Sequence, residues 1–157
     1  MKANERLTNL TAADIMQKDV ITVTPDTTIA DLGRLFIEKD VSGVPVIDNK
    51  GNLYGIVTEN DLISMEKPFH IPTIIHIFDA FIPLETDQTI EKEIRKLAAA
   101  IVDDICTRNV VTINEITPFQ EIAEIMTGKK IHLLPVLSNY KLVGIIGKKD
   151  MIKAMAG

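Results

Sequence analysis

The sequence predicts an α+β body: two pseudo-symmetric repeats, each ordered strand, helix, strand, strand, helix, packed sheet to sheet. Two observations predict it. The chain repeats itself, since "DIMQKDVITV" (14–23) falls on "DICTRNVVTI" (104–113) and "VSGVPVID" (41–48) on "IHLLPVLS" (131–138) at one offset, 90 residues. After one residue is lost in the second copy, "GIVTENDLI" (55–63) meets "GIIGKKDMI" (144–152). Within each copy, short β-branched runs alternate with stretches whose apolar residues recur at helical spacing.

Each element has a local reason. The copies open on β-branched runs, 20–23 and 110–113, read as strands. A turn follows, then an amphipathic helix. In the first copy Asp26 or Thr27 is placed to cap it, with Ile29, Leu32, Leu35 and Phe36 inward. In the second, Thr117 is placed to cap, Pro118 suits the first turn, and Phe119, Ile122, Ile125 and Met126 point inward. Next come a buried strand (44–47; 134–137), a tight turn at "DNKGN" or "SNYK", and a second strand (53–57; 142–146). A last helix closes each copy. A three-stranded sheet with helices on one face leaves its other face uncovered, so two copies in one chain are expected to form one body.

The repeats span 11–64 and 101–157, and a connecting insert occupies 65–100. Pro68, Pro72 and Pro83 break up its first half, whereas Asp87 is placed to cap a helix carrying Ile90, Ile94, Leu97 and Ile101. The insert is too apolar for a floppy linker and is expected to pack on the repeats or across a contact between two copies.

Composition narrows the function classes. With 46% hydrophobic and 25% charged residues but only 4% aromatic, the core must be aliphatic. A net charge of −5 argues against general nucleic-acid binding, which needs clustered Lys and Arg on phosphate. The acidity sits in the first two-thirds; 101–157 carries seven Lys and Arg against six Asp and Glu. No apolar run has the length of a membrane span, and "MKANERLTNL" has no signal-peptide core, so a soluble cytoplasmic protein is expected. The lone Cys106 has no internal disulfide partner and reads as a small apolar filler. His70 and His76 lack the i, i+4 spacing of a helical metal pair and no cysteine joins them, so no metal site is predicted. Met16, Met65, Met126, Met151 and Met155 read as core or helix-face residues. No nucleophile–base set, paired-carboxylate site or phosphate loop is recognisable, which argues against an enzyme.

The "VPV" or "LPV" strand and the "G-I-[VI]-x-x-x-D-[LM]-I" ending, each present twice, resemble a tandem pair of cystathionine beta-synthase domains, a Bateman module. The resemblance covers 11–64 and 101–155. It implies a regulatory module with clefts between the repeats for adenosine-containing ligands: AMP, ADP, ATP, NAD or S-adenosylmethionine. It also implies a homodimer and a separate regulated partner, with no required cofactor; the charge and hydropathy above argue against nucleic acid and membrane as partners.

The ending motif has a physical rationale. One ionised carboxylate can accept hydrogen bonds from both ribose hydroxyls, and the helix start favours negative charge and offers amides to phosphate. Carried over by position, the resemblance assigns Ile56, Thr58, Asp61, Val110, Val111, Ile131 and His132 to a first cleft. It assigns Val20, Ile21, Val41, Ser42, Ile145, Lys149 and Asp150 to a second. Gly147 replaces Thr58 there, so the second cleft loses a hydroxyl and gains Lys148 and Lys149, and the first is expected to be better formed. Capping alone also accounts for Thr58, Asp61 and Asp150, and a solvated face accounts for Lys129, Lys130, Lys148 and Lys149. The alternative function is a ligand-free dimerisation or scaffold module acting on a partner protein.

Overall fold

The computed structural model describes residues 2–65 and 100–157. The first repeat contains α2 (Ala12–Ile15), α3 (Ile29–Lys39), β1 (Gly43–Ile47), β2 (Leu53–Thr58) and α4 (Glu59–Ser64), preceded by α1 (Lys2–Thr8). In the second are α5 (Val102–Ile105), β3 (Ile113–Asn114), α6 (Phe119–Gly128), β4 (Leu133–Ser138), β5 (Lys141–Gly147) and α7 (Lys148–Ala156). The helix predicted after Asp87, carrying Ile90, Ile94, Leu97 and Ile101, lies outside the described residues up to residue 99. Ile101, expected on its face, instead bridges to Thr28 just ahead of α5.

The hairpins form as predicted. β1 and β2 pair antiparallel, as do β4 and β5, and each pair carries a register shift, after Val46 and after Val136. In the first hairpin Asp48 Oδ1 accepts from the Lys50 and Asn52 amides and Gly51 takes φ 81°. In the second, Asn139 and Tyr140 both have positive φ, 49° and 65°, the backbone of a two-residue type I′ turn. The lost residue of the repeat is lost here.

The leading strands are far shorter than predicted. In the first repeat only Val23 bridges to Val46; in the second, β3 is two residues long. The proline of each "PV" strand explains this. In the parallel ladder Val23 N donates to Pro45 O and Ile47 N to Val23 O. One step back, the carbonyl of Ile21 would need a donor at residue 45, and proline has none. The same holds for Val111 against Pro135. Each leading segment therefore peels away from its own sheet before Val23 or Ile113.

It crosses to the other repeat. Gln17 N donates to Ile145 O at 2.9 Å and Ile145 N to Gln17 O at 3.0 Å; Ile56 N donates to Thr107 O at 2.9 Å and Thr107 N to Ile56 O at 2.8 Å. Ala12 is buried with Ile113, Phe119, Ile122 and Leu134, whereas Val102 is buried with Val23, Leu32, Phe36 and Val44. Each core is thus completed by the other repeat's leading helix, and neither repeat is a self-contained unit. Leu32 and Ile122, at equivalent places on α3 and α6, are fully buried, a contribution of about 2–3 kcal/mol each from apolar burial.

The helix caps fall one or two residues later than expected. Thr28, not Asp26 or Thr27, caps α3, its hydroxyl accepting from Asp31 N at 3.2 Å, and Pro118 stands at the cap position of α6. Thr27 and Thr117 close the preceding turns, their hydroxyls accepting from Thr24 N and Asn114 N. Of the methionines read as core or helix-face residues, Met126 and Met151 are buried and Met155 lies on the exposed face of α7.

Candidate functional site

One acidic device recurs at four helix starts. Asp14, Asp61, Asp104 and Asp150 each turn Oδ2 back onto the amide three residues earlier, at Thr11, Thr58, Ile101 and Gly147, over 2.7–2.9 Å. Capping is therefore real at Thr58–Asp61 and at Gly147–Asp150. Thr58 Oγ1 also donates to Asp61 Oδ2, at 3.2 Å. Each contact uses Oδ2, and a carboxylate has acceptor capacity beyond one bond.

The two carboxylates differ in their surroundings. Asp61 is half-buried, whereas Asp150 is 6% exposed, the one charged side chain buried among the described residues. Asp150 lines a cavity of about 420 Å³ between the repeats. Its wall brings together Ile21, Val41 and Ser42 from the first repeat with Ile145, Gly147, Lys149 and Asp150 from the second. Six of the seven residues assigned to the second cleft thus share this wall; Val20 is not part of it. His132, assigned to the first cleft, lines this same cavity.

The cavity of Asp150 lies at the second cleft, whereas the retained hydroxyl favoured the first. Gly147 adds room to it. A Cβ built there meets nothing closer than Asp150 Oδ2 at 3.6 Å, so the glycine leaves ordinary side-chain room that Thr58 fills at the equivalent place. At the first cleft Ile56, Thr58 and Asp61 sit on the β2–α4 junction, Val110 and Val111 on the second leading segment, and Ile131 just before β4. All six are half-buried.

Sequence reasoning missed four polar residues of the cavity. Gln17, Asp19, Asp40 and Glu59 line it, and Gln17 Nε2 lies 3.1 Å from each oxygen of Asp150. The signal was in the internal alignment. Gln17, Asp19, Asp40 and Glu59 fall on Thr107, Asn109, Lys130 and Lys148, so polar character changes between copies at each of these positions. The first repeat gives the cavity an acidic rim and the second a basic one, Lys148 and Lys149 at the N-terminus of α7. Among the described residues no three His, Cys, Asp or Glu side chains form a metal-binding group, and no helix is long and apolar enough to cross a membrane. His70 and His76 lie outside them.

A latch holds the opposite crossing. Arg108 Nε donates to Tyr54 O at 2.8 Å, its guanidinium carbon stands 3.3 Å from the Tyr54 ring centre, and Tyr54 OH donates to Asp103 at 2.5 Å. That hydrogen bond to Asp103 is the main cause holding the Tyr54 phenol above its ordinary range. Cys106 packs beside it, half-buried, and burial pushes its thiol up.

Two copies of one strand–helix–strand–strand–helix unit, each completed by the other's leading segment around a cleft at their junction, define a tandem-repeat binding module. The family model for the CBS domain matches twice, over residues 12–67 and 102–157, and the chain belongs to that family. Among relatives, the uncharacterized protein MJ1426 of Methanocaldococcus jannaschii is 30% identical over 152 residues, covering 90% of this chain and 89% of the relative. The chloroplastic CBS domain-containing protein CBSX2 of Arabidopsis thaliana is 28% identical, covering 92% of this chain; the chain spans 63% of that protein's length. The crystal structure of CBSX2 in complex with AMP matches with a TM-score of 0.72 at 26% identity, over 94% of this chain and 97% of that one. The α+β class and the tandem pair expected from the sequence are therefore correct.

Proposed function

We propose that this protein is a regulatory module that binds an adenosine-containing ligand between its repeats and acts by binding, not by catalysis. The observation that carries this is Asp150: a carboxylate nine-tenths buried, at the start of α7, on the wall of the inter-repeat cavity. Among the described residues its partners are its capping amide and Gln17, and a vicinal ribose diol is a ligand group with two donors at matching spacing. Lys148 and Lys149 stand on the side where a 5′-phosphate gains attraction, and Ile21, Val41 and Ile145 offer apolar wall to a base. The AMP complex of CBSX2 supports the ligand class.

Thr58 and Asp61, with Ile56, Val110, Val111 and Ile131, form the second half of the proposal, a first cleft of the same kind. His132, on the cavity wall, is offered as a phosphate donor. Two copies pair through helical faces; the exposed Ile63 and Ile152, at equivalent places on α4 and α7, suit such a contact. A separate protein reads the outcome, because a ligand can act only by favouring one arrangement over another.

The test starts from freshly purified protein. It is denatured, released small molecules are identified by mass spectrometry, and AMP, ADP, ATP, NAD and S-adenosylmethionine are titrated by calorimetry. Charge-assisted hydrogen bonds contribute about 1.5–3 kcal/mol, so Asp150→Ala should weaken binding by roughly one to two orders of magnitude. No heat from any candidate would leave the scaffold reading in its place.

A further inference from the structure

Asp150 has a competitor for its ligand inside the chain. The Gln17 amide lies against it with Nε2 at 3.1 Å from Oδ1 and 3.1 Å from Oδ2. Only the NH₂ end of an amide can face a carboxylate this way. Equal distances put the nitrogen in the plane midway between the oxygens. A vicinal diol donating one bond to each oxygen must straddle that same plane, and polar heavy atoms do not approach one another closer than about 2.5–2.7 Å even when hydrogen-bonded. The amide and the diol therefore compete for one place. Oδ2 also accepts from Gly147 N at 2.7 Å, which leaves that oxygen one further acceptor site for the amide or the diol.

We propose that Gln17 is an internal stand-in for the ribose and gates the second cleft. This rests on the adenosyl reading above. The backbone of Gln17 is fixed by its two hydrogen bonds to Ile145, so the gate is the side chain alone, which swings out when ligand enters. The equivalent position of the first cleft is Thr107. Its backbone makes the same two bonds, to Ile56, but its hydroxyl ends two bonds short of a glutamine nitrogen, and the recorded partners of Asp61 Oδ2 are Thr58 N and Oγ1. Among the described residues, ligand therefore meets no amide on the first cleft's carboxylate and enters the second only against Gln17. The pair reads one ligand over two concentration ranges.

The experiment is calorimetric titration of AMP, with ATP and S-adenosylmethionine alongside, into the full chain and three variants: Gln17→Thr, Asp150→Ala and the double variant. Threonine is what the second repeat carries at this place, and thermal melting without ligand checks that the variant folds. In Gln17→Thr the weaker of two binding steps is expected to tighten about tenfold, equivalent to 1.4 kcal/mol, and the gain should vanish when Asp150 is also alanine. Equal affinities in the parent and Gln17→Thr overturn the gate and leave the adenosyl reading standing. A gain that survives Asp150→Ala also overturns it, because the gate works through that carboxylate. If AMP, ATP and S-adenosylmethionine give no heat in any variant, the adenosyl reading falls and the gate with it.

Discussion

Adding one methyl group at Gly55 should destabilise this protein, although glycine-to-alanine changes inside strands ordinarily help. Glycine in a strand interior costs about 0.5–1 kcal/mol relative to alanine, so a strand with open space at that point would gain by the change. Gly55 has no such space. A Cβ built on it stands 2.7 Å from the carbonyl oxygen of Thr107 and 3.2 Å from Cys106 Sγ. The oxygen is backbone and accepts from Ile56 N at 2.9 Å, while Thr107 N donates to Ile56 O at 2.8 Å. Withdrawing the carbonyl by several tenths of an ångström lengthens both bonds of the crossing. Losing two such bonds costs roughly 1–3 kcal/mol, overpacking adds about 1–3, and the glycine term returns up to about 1. The net expectation for Gly55→Ala is a loss centred on roughly 3 kcal/mol within a span of about 1–6, read as the shift in urea midpoint at unchanged slope. In a melting scan it corresponds to a drop on the order of 5–15 °C. Gly144→Ala is the internal control. There the Cβ meets the Met16 side chain, with Cγ at 2.7 Å and the sulfur nearer, and a flexible thioether can rotate away. Its cost should stay below about 2 kcal/mol. A neutral or stabilising Gly55→Ala, or a costlier Gly144→Ala, would refute the reasoning that the leading segment crosses hard against the strand backbone.

Two further expectations concern local features. Tyr140, 90% exposed with φ 65° in the second hairpin turn, packs nothing and holds a left-handed backbone, so Tyr140→Gly should raise the urea stability by up to about 1 kcal/mol; a loss would mean the side chain contributes packing. Burial raises the Cys106 thiol, so at neutral pH the folded protein should react slowly with a thiol reagent, and the rate should rise with pH and on unfolding in urea. A folded-state rate equal to the unfolded one would contradict that placement.

Most of the fold was legible because it is written twice. The internal repeat aligned Leu32 with Ile122, Pro45 with Pro135 and Gly55 with Gly144, and all three pairs are buried equivalents in the structure. Strand and helix periodicity located both hairpins and both amphipathic helices, since these depend on residues near each other in sequence. The glycine and proline positions also carried information that a periodicity reading does not use. Pro45 and Pro135 end the parallel ladder after one or two residues, and Gly55 and Gly144 clear the ground where the other repeat's leading segment passes.

What the sequence determined by itself was local: the elements, the acidic helix starts and the equivalence of the two halves. Only the tertiary structure decided which repeat each leading segment completes, because Ala12 and Val102 look alike as apolar residues and the two cores differ only in space. Tertiary structure likewise decided that Gln17 reaches a carboxylate 133 residues away and that His132 joins the wall of the second cleft. Both follow from the crossing of the segments, a long-range contact that local periodicity does not encode.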